Sequence, residues 1–457
     1  MTEKPFPINF ENRVKNDSFL GEELLKSLNE ISPISIRFNP SKKKQIDTSN
    51  NPTPDCYRDQ QSSNPILWCE NGTYLNERPN FTLDPLYHSG VYYSQEAGSM
   101  MLAKVLNQLD LDNNPKILDL CAAPGGKSSL IASFLNEKGL LVSNEVIHAR
   151  SKILKENLIK WGNSNTVVIN NDPKDFQRIP HFFDAIVVDA PCSGEGMFRK
   201  DIDARNEWSE ENVNLCAARQ KRIVMDVWDS LKPGGYLIYS TCTFNEQENE
   251  DNIFWFSNEL DAEIVDLDFS PFKTDRIKAG AYAMPNLVET EGFYIAVLQK
   301  SSDSKMLKLP KVKQQSLTRI KDLKSISQFS KTAGFEFFSW NNIVFALPEL
   351  FVNEIKLFQQ EMRIVKFCTE IGTLMRDEIL PDHALAMNSN LINFNQKIEL
   401  TKEEALKYLK GETFPLEGKK GYNLITYQNI PLGWIKHIGS RFNNLFPKEW
   451  RIRMKID

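Results

Sequence analysis

No apolar run in this chain approaches the roughly 18 residues that a membrane span needs, and the opening Met1-Thr-Glu-Lys-Pro-Phe6 has neither the basic nor the apolar region of a secretory leader. The expectation is a cytoplasmic protein with no membrane role. Seven cysteines are present, but none stands in a CxxC pair or another zinc-ligand spacing, so no metal is expected. An odd number of cysteines without a leader points to reduced thiols, which excludes a disulfide framework. Internal repeats are absent as well.

What remains is an ordinary globular composition, with 41% apolar and 25% charged residues. At 457 residues the chain exceeds a single core, so about two to four domains are expected. The formal charge of −5 conceals an asymmetry. Residues 1–300 carry 31 basic against 43 acidic side chains, net −12, whereas residues 301–457 carry 24 against 17, net +7. Lys419, Lys420, Lys436, Arg441, Lys448, Arg451, Arg453 and Lys455 crowd the last 40 residues against only Glu449 and Asp457. A basic tail on an acidic body fits either a polyanionic partner or a solvated surface.

Residues 1–90 read as a separate N-terminal α+β region, with a Pro/Asn/Ser-rich loop or insertion from Asn39 to Pro65 that contains Lys42-Lys43-Lys44. From 91 to 300 strand-like and helix-like segments alternate. Strands are expected at Lys116–Leu120, Leu140–Glu145, Thr166–Asn170, Asp184–Asp189, Gly235–Ser240 and Gly292–Leu298, the last closing the sheet. Helices are expected at Lys127–Asn136, Ala149–Trp161, Asn212–Leu231 and from Glu246, where Thr243 and Glu246 stand in capping-box spacing. This alternation predicts a doubly wound α/β sheet. Residues 301–327 read as a linker. An intermediate helical subdomain is expected at 328–388, with helices Pro348–Arg363 and Phe367–Ile379, and a β-rich module at 389–457.

The loop after the first strand of the sheet, Asp119-Leu-Cys-Ala-Ala-Pro-Gly-Gly-Lys-Ser128, admits three readings. Cys121 stands where a P-loop needs glycine, and Cys121 and Ala123 also break the dinucleotide fingerprint. An S-adenosylmethionine loop is the third, since small residues allow close backbone approach. Asp119, Glu145, Asp172 and Asp189 follow four successive strand ends, where carboxylates can accept hydrogen bonds from ribose hydroxyls and adenine.

Cys192, in Asp189-Ala-Pro-Cys-Ser-Gly-Glu-Gly196, and Cys242, in Thr241-Cys-Thr243, both emerge past strand ends at one sheet edge. Methylation of pyrimidine C5 requires such groups. A thiolate adding at C6 makes C5 enamine-like, a carboxyl group on the N3 edge supports the addition, and a further group assists release. Cys56, Cys69, Cys216 and Cys368 read as small buried hydrophobes, and Cys121 as part of the loop backbone.

Together these motifs resemble the RNA 5-methylcytosine methyltransferases of the NOL1/NOP2/Sun family, in particular its bacterial RsmF type. The resemblance extends to Ile36-Arg-Phe-Asn39, Tyr93-Ser-Gln-Glu-Ala-Gly-Ser-Met100, Glu291-Gly-Phe-Tyr294, Asp382-His-Ala-Leu-Ala386, Leu432-Gly-Trp434 and Asn444-Leu-Phe-Pro447. It implies a Rossmann-like class I methyltransferase domain and a C-terminal PUA-like RNA-binding module. It also implies S-adenosylmethionine held by Cys121, Ala122, Ala123, Pro124, Gly125, Gly126, Lys127, Glu145, Asp172 and Asp189, with Asp189 also at the base. Cys242 would be the nucleophile and Cys192 the residue assisting release, the reverse of what analogy with the Pro-Cys motif of DNA cytosine methyltransferases suggests. One departure is Glu145-Val-Ile-His148, where many relatives have Asp-Pro after the acidic residue.

A monomer acting on small-subunit ribosomal RNA, naked or in the assembled subunit, is expected; a transfer-RNA enzyme, or an assembly factor that only senses cofactor, are the alternatives. For RNA contacts the candidates are Lys200, beside Arg199, and Lys436, Arg441, Arg451 and Arg453. Trp434, Phe442 and Phe446 fit either base stacking or a small β core.

Overall fold

The structure, a computed structural model, describes residues 5–43, 64–303, 307–312, 317–376 and 378–454. Lys44, Cys56, Lys455, Asp457 and most of the Asn39–Pro65 stretch lie outside the described residues, as do parts of the expected linker.

Helices α1 (Ile8–Asn16) and α2 (Glu22–Ser27) present Phe10, Val14, Leu24 and Leu25 to one face, and these join the same core as Phe198, Trp208 and Phe244 of the central domain. Strands β1 (Ile34–Phe38), β2 (Gly72–Leu75) and β3 (Tyr92–Ser94) then form an antiparallel sheet with β1 in the middle and Asn64–Pro65 outside β2. The N-terminal region is thus α+β, as expected, but its helices are built into the central core. Lys42, read from sequence as part of a loop, is 2% exposed and donates to the carbonyls of Ser89 (2.6 Å) and Lys160 (2.5 Å).

The central sheet contains β4 (Lys116–Asp119), β5 (Leu140–Asn144), β6 (Thr166–Ile169), β7 (Phe183–Asp189), β8 (Leu231–Thr241), β9 (Gly280–Ala283), β10 (Phe293–Lys300) and β11 (Ile364–Lys366). Helices α3 (Gly126–Leu135), α4 (His148–Trp161), α5 (Glu210–Trp228) and α6 (Glu250–Glu259) connect its strands. The order is β9-β10-β8-β7-β4-β5-β6-β11, with β4 to β8 parallel and β10 antiparallel to β8. Strands such as β7, whose Ala-Ile-Val-Val stretch is fully buried, are apolar on both faces because helices cover both. The chain moves outward from β4 to β6 and returns to the other side of β4 at β7. That reversal opens a crevice between the carboxyl ends of β4 and β7, where ligands of doubly wound sheets bind.

Four expectations need correction. β10 does not close the sheet, because β9 and then Lys273–Thr274 pair beyond it. The helix expected from Glu246 begins at Glu250, because Thr243 and Asn249 are engaged with the thiol loops: Thr241 Oγ1 donates to Asn249 Oδ1 (2.6 Å) and Asn249 Nδ2 to the Thr243 carbonyl (3.0 Å). The helix expected at Phe367–Ile379 is a hairpin of Thr369–Met375 and Glu378–Pro381, as alternating β-branched Thr369, Ile371 and Thr373 favour. The 328–388 segment is accordingly a five-stranded antiparallel sheet with one main helix, Val352–Glu361, and the expected linker contributes its edge strand, Thr318–Arg319.

This sheet is attached to the central domain by more than chain connectivity. β11 extends the central sheet antiparallel to β6, and Phe358 packs on Phe182 at 5.0 Å between ring centroids. The C-terminal module is a fourth sheet, of Lys397–Glu399, Gly421–Tyr427, Ile430–His437 and Phe442–Asn444, covered by helix Lys402–Lys410.

Candidate active site

Asp119 ends β4 in full burial, accepting from Ser128 Oγ at 2.7 Å, while its Oδ1 has no partner. Burial pushes its carboxyl up to about 7. The loop that follows is held from α4, where Arg150 donates to the Ala123 carbonyl (2.8 Å) and Asn157 to that of Pro124 (2.8 Å). Gly125, at φ +117°, turns the chain into α3, a conformation that favours glycine. Glu145 is buried and accepts from the Ile147 amide at 2.8 Å, with Arg150 at 3.4 Å. Asp172 follows β6 and accepts from the Lys174 amide at 3.2 Å.

Cys121, Ala122, Ala123, Pro124, Gly126, Lys127 and Asp189 border a cavity of about 190 Å³. Its opposite wall, Tyr93 to Glu96 with Ser99, comes from β3 and the turn after it, so the N-terminal sheet runs past the expected boundary at residue 90. Arg37 of β1 ties that wall to the loop, donating to Gln95 Oε1 (2.7 Å), Ser129 Oγ (2.6 Å) and the Gly126 carbonyl (3.2 Å). Gly125, Glu145 and Asp172 are not in the lining of this cavity.

Asp189, at the end of β7, stands at the centre of the site. Its Oδ1 accepts from Ser240 Oγ at 2.9 Å and its Oδ2 pairs with Lys127 Nζ at 2.8 Å. Burial opposes the lysine charge, but Asp189 outweighs it and holds the ammonium above its ordinary range. The two thiols meet beside this pair. Cys192 Sγ lies 3.0 Å from Cys242 Sγ and 3.3 Å from the Cys242 amide nitrogen. The hydrogen bond to Cys242, then burial, raises the Cys192 thiol well above its ordinary value and favours its protonated form.

The sequence reading missed the residues that bring these loops together. Glu195, fully buried, accepts from Arg13 Nη2 (2.6 Å), Trp208 Nε1 (3.0 Å) and the Phe244 amide (3.2 Å). It therefore joins the Cys192 loop, the Cys242 loop and helix α1. Glu248 accepts from the Ser193 amide (3.0 Å) and Gln220 Nε2 (2.7 Å), and burial pushes its carboxyl up to about 7. Gly196 donates its amide to the Cys242 carbonyl at 2.9 Å, and a Cβ there would stand 2.6 Å from the Gly292 carbonyl oxygen. The signals were visible for both glutamates, since Glu195 lies inside the glycine-rich Cys192 loop and Glu248 a few residues past Cys242. Arg13, far upstream on a helix, had none.

Among the RNA candidates, Arg199 is excluded as a phosphate ligand, since its side chain is 5% exposed and pairs with Glu291 at 2.9 Å. Lys200, Arg441 and Arg453 are exposed. Lys436 lies 3.7 Å from Glu378 and over the Tyr422 ring, and half-buried Arg451 packs against Gly411. Trp434, Phe442 and Phe446 are core residues, 1–3% exposed. Cys69, Cys216 and Cys368 are buried. Among the described residues no group of three or more His, Cys, Asp or Glu side chains could hold a metal, and no helix is long and apolar enough to cross a membrane.

A doubly wound sheet with a small-residue loop at its switch point and paired strand-end thiols defines a Rossmann-like methyltransferase. Residues 106–299 match the family described as 16S rRNA methyltransferase RsmB/F, residues 6–97 the N-terminal domain of 16S rRNA methyltransferase RsmF, and residues 395–452 the methyltransferase RsmF PUA domain. The chain is 31% identical over 413 residues to the ribosomal RNA small subunit methyltransferase F of Escherichia coli O139:H28, covering 84% of each chain. It is 33% identical over 415 residues to that of Pectobacterium carotovorum, covering 84% of this chain and 83% of the other. The chain belongs to the RsmF family of methyltransferases. A methyltransferase homolog from Pyrococcus horikoshii superposes with a TM-score of 0.54 at 25% identity, covering 65% of this chain and 95% of its own. NSun6 of the same organism, solved with SFG, gives 0.54 at 20% identity over 65% and 99%, a likeness of fold.

Proposed function

We propose that this protein methylates C5 of a cytosine in 16S ribosomal RNA, using S-adenosylmethionine and a covalent bond from Cys242 to C6. The observation that carries this reading is the Cys192–Cys242 pair at 3.0 Å, beside Asp189 and Lys127. Cofactor fit is supported by the small-residue wall of the 190 Å³ cavity and by the unpartnered Asp119 Oδ1 behind its loop. Residues Cys121 to Lys127, with Glu145, Asp172 and Asp189, would hold the cofactor, which supplies an electrophilic methyl group when bound.

The chain's own residues account for the rest. Asp189 lies within reach of a base brought to the thiols, and its carboxyl can engage the N3 edge as Cys242 adds at C6. Addition breaks the ring's aromaticity and leaves C5 nucleophilic toward the methyl group. The C5 proton then passes to water, the electrons of the C5–H bond restore the 5,6 double bond, and the Cys242–C6 bond breaks with its electron pair returning to the Cys242 sulfur. Cys192, held in its thiol form, assists that release by donating a hydrogen bond to the departing Cys242 sulfur, 3.0 Å away. A stacked cytosine hides C5 and C6, so the target must be unpaired or flipped, at a cost of a few kcal/mol. The exposed Arg441 and Arg453 of the PUA-like module fit the RNA backbone contacts that would offset this cost.

The test is transfer of labelled methyl groups to 16S rRNA and to assembled small subunits, with bisulfite sequencing of ribosomal and transfer RNA from a deletion strain. A single lost 5-methylcytosine signal in 16S rRNA is the expected result. Loss confined to transfer RNA would refute the substrate, and no loss anywhere would refute the activity.

A further inference from the structure

Helix α5 buries Val213, Cys216, Ile223, Val224 and Val227 at helical spacing, and one amide, Gln220, sits fully buried on the same apolar stripe. An amide placed there costs free energy unless its polar atoms are paired. All of them are. Gln220 Nε2 donates to the Pro191 carbonyl (3.0 Å) and to Glu248 Oε2 (2.7 Å), and its Oε1 accepts from Asn252 Nδ2 (2.7 Å). The amide has only this orientation, because the opposite one would set its NH2 against that of Asn252 and its oxygen against the Pro191 carbonyl.

What this network holds is Cys192. Residues 190–194 form neither helix nor strand, so no backbone ladder fixes the thiol in place. Gln220 instead holds the carbonyl just before Cys192, and Glu248 the amide just after it, that of Ser193, at 3.0 Å. The two loops are also joined directly, since Ser193 Oγ lies 2.9 Å from Thr243 Oγ1, beside Cys242. Behind Gln220, Asn252 Nδ2 and the Tyr239 hydroxyl both donate to the Glu248 carbonyl, at 3.2 and 2.7 Å. Gln220, Tyr239, Glu248 and Asn252 are all closed to solvent, so the network is dry and rigid.

We propose that Gln220 is a positioning residue for product release, bracketing Cys192 together with Glu248 so that its thiol stays against the Cys242 sulfur, 3.0 Å away. The proposal rests on the reading of Cys192 given above and adds the residue that places it. Gln220 is not in the lining of the cofactor cavity, so it acts through the Cys192 loop. A shift of about 0.5 Å in a thiol so placed is enough to impair its hydrogen bond to a departing sulfur.

The experiment uses the full-length protein, 16S ribosomal RNA and S-adenosylmethionine carrying a labelled methyl group. Gln220→Met keeps the length of the side chain and removes its hydrogen bonds. Multiple-turnover methylation is expected to fall about tenfold, while a protein–RNA adduct carrying the label builds up on a denaturing gel, because methyl transfer precedes release. A merely structural role would lower methylation and adduct together. The proposal is overturned by a Gln220→Met protein that melts like the wild type and traps no labelled adduct, and equally by one that loses methyl transfer in the first turnover. Should Gln220→Met melt early, Gln220→Glu, which keeps the shape but sets an oxygen against the Pro191 carbonyl, is read by the same two criteria. Cys192→Ala is the reference. No adduct with that variant would refute the reading of Cys192 itself, whereas an adduct with Cys192→Ala and none with the folded Gln220 variant would refute only the role of Gln220.

Discussion

At the scale of single residues, the site depends on buried charges that sequence alone does not rank. Arg13 donates to Glu195 and, at 3.4 Å, to the Phe244 carbonyl, so one guanidinium on α1 holds both thiol loops. Arg13→Ala leaves the fully buried Glu195 carboxylate without its cation, and removal of one partner of such a pair is strongly destabilising. The expected result is a more than tenfold fall in kcat with KM for cofactor little changed, partly rescued by Arg13→Lys. An unchanged kcat would show that the clamp has no bearing on the thiols.

Asp119 gives a prediction in pH. Its folded carboxyl titrates near 7 against an ordinary value near 3.8, so its protonated form favours the fold fully below the lower value. That contribution is lost as pH rises through the higher one. Asp119→Asn cannot titrate, so its stability relative to wild type should rise by up to a few kcal/mol between pH 4 and pH 8. Urea unfolding at both pH values reads this directly, and a constant difference would contradict the assigned shift.

At the scale of elements, the parallel strands were legible because β-branched, doubly buried runs ended by turns have few alternatives. Strand ends at Asp119, Glu145 and Asp189 followed from the same pattern, and so did the convergence of Cys192 and Cys242 at one edge. Less legible were segments whose local signals served tertiary contacts. Thr243 and Glu246 have capping spacing, but Thr243 instead contacts Ser193 Oγ at 2.9 Å, and the helix starts later. Gly196 shows the same tertiary control, since backbone from three strand ends meets there. Gly196→Ala would force the Cys242 carbonyl, 2.9 Å from the new Cβ, to move. A loss of about 1–3 kcal/mol in stability is expected from such overpacking, with reduced methyl transfer even in the folded fraction. Thermal unfolding alongside single-turnover rates would separate the two effects.

At the scale of the whole molecule, residues 91–300 read as a self-contained domain, yet the packing crosses both boundaries. Phe10 and Val14 enter the core from before, and Ile355, Phe358 and Phe367 enter it from after. β11 also covers the β6 edge, where unpaired strand groups would otherwise invite association. Fragments ending at residue 303 or at residue 388 are therefore both expected to aggregate or to lose the sharp unfolding transition of the full chain, because the C-terminal module in turn shares a core with Ile36, Phe38 and Tyr92 of the N-terminal sheet. Size-exclusion chromatography and calorimetry of the two fragments would show this. The charge asymmetry belongs to the same scale: a basic C-terminal third predicts RNA affinity that falls steeply with salt.

The central claim is the division of labour between the two thiols, and a denaturing gel tests it most directly. Cys192→Ala protein incubated with substrate RNA and S-adenosylmethionine should yield a protein–RNA species that survives denaturation, and the Cys192→Ala/Cys242→Ala double variant should yield none. An adduct that persists without Cys242, or one trapped by Cys242→Ala alone, would contradict the assignment of Cys242 as nucleophile.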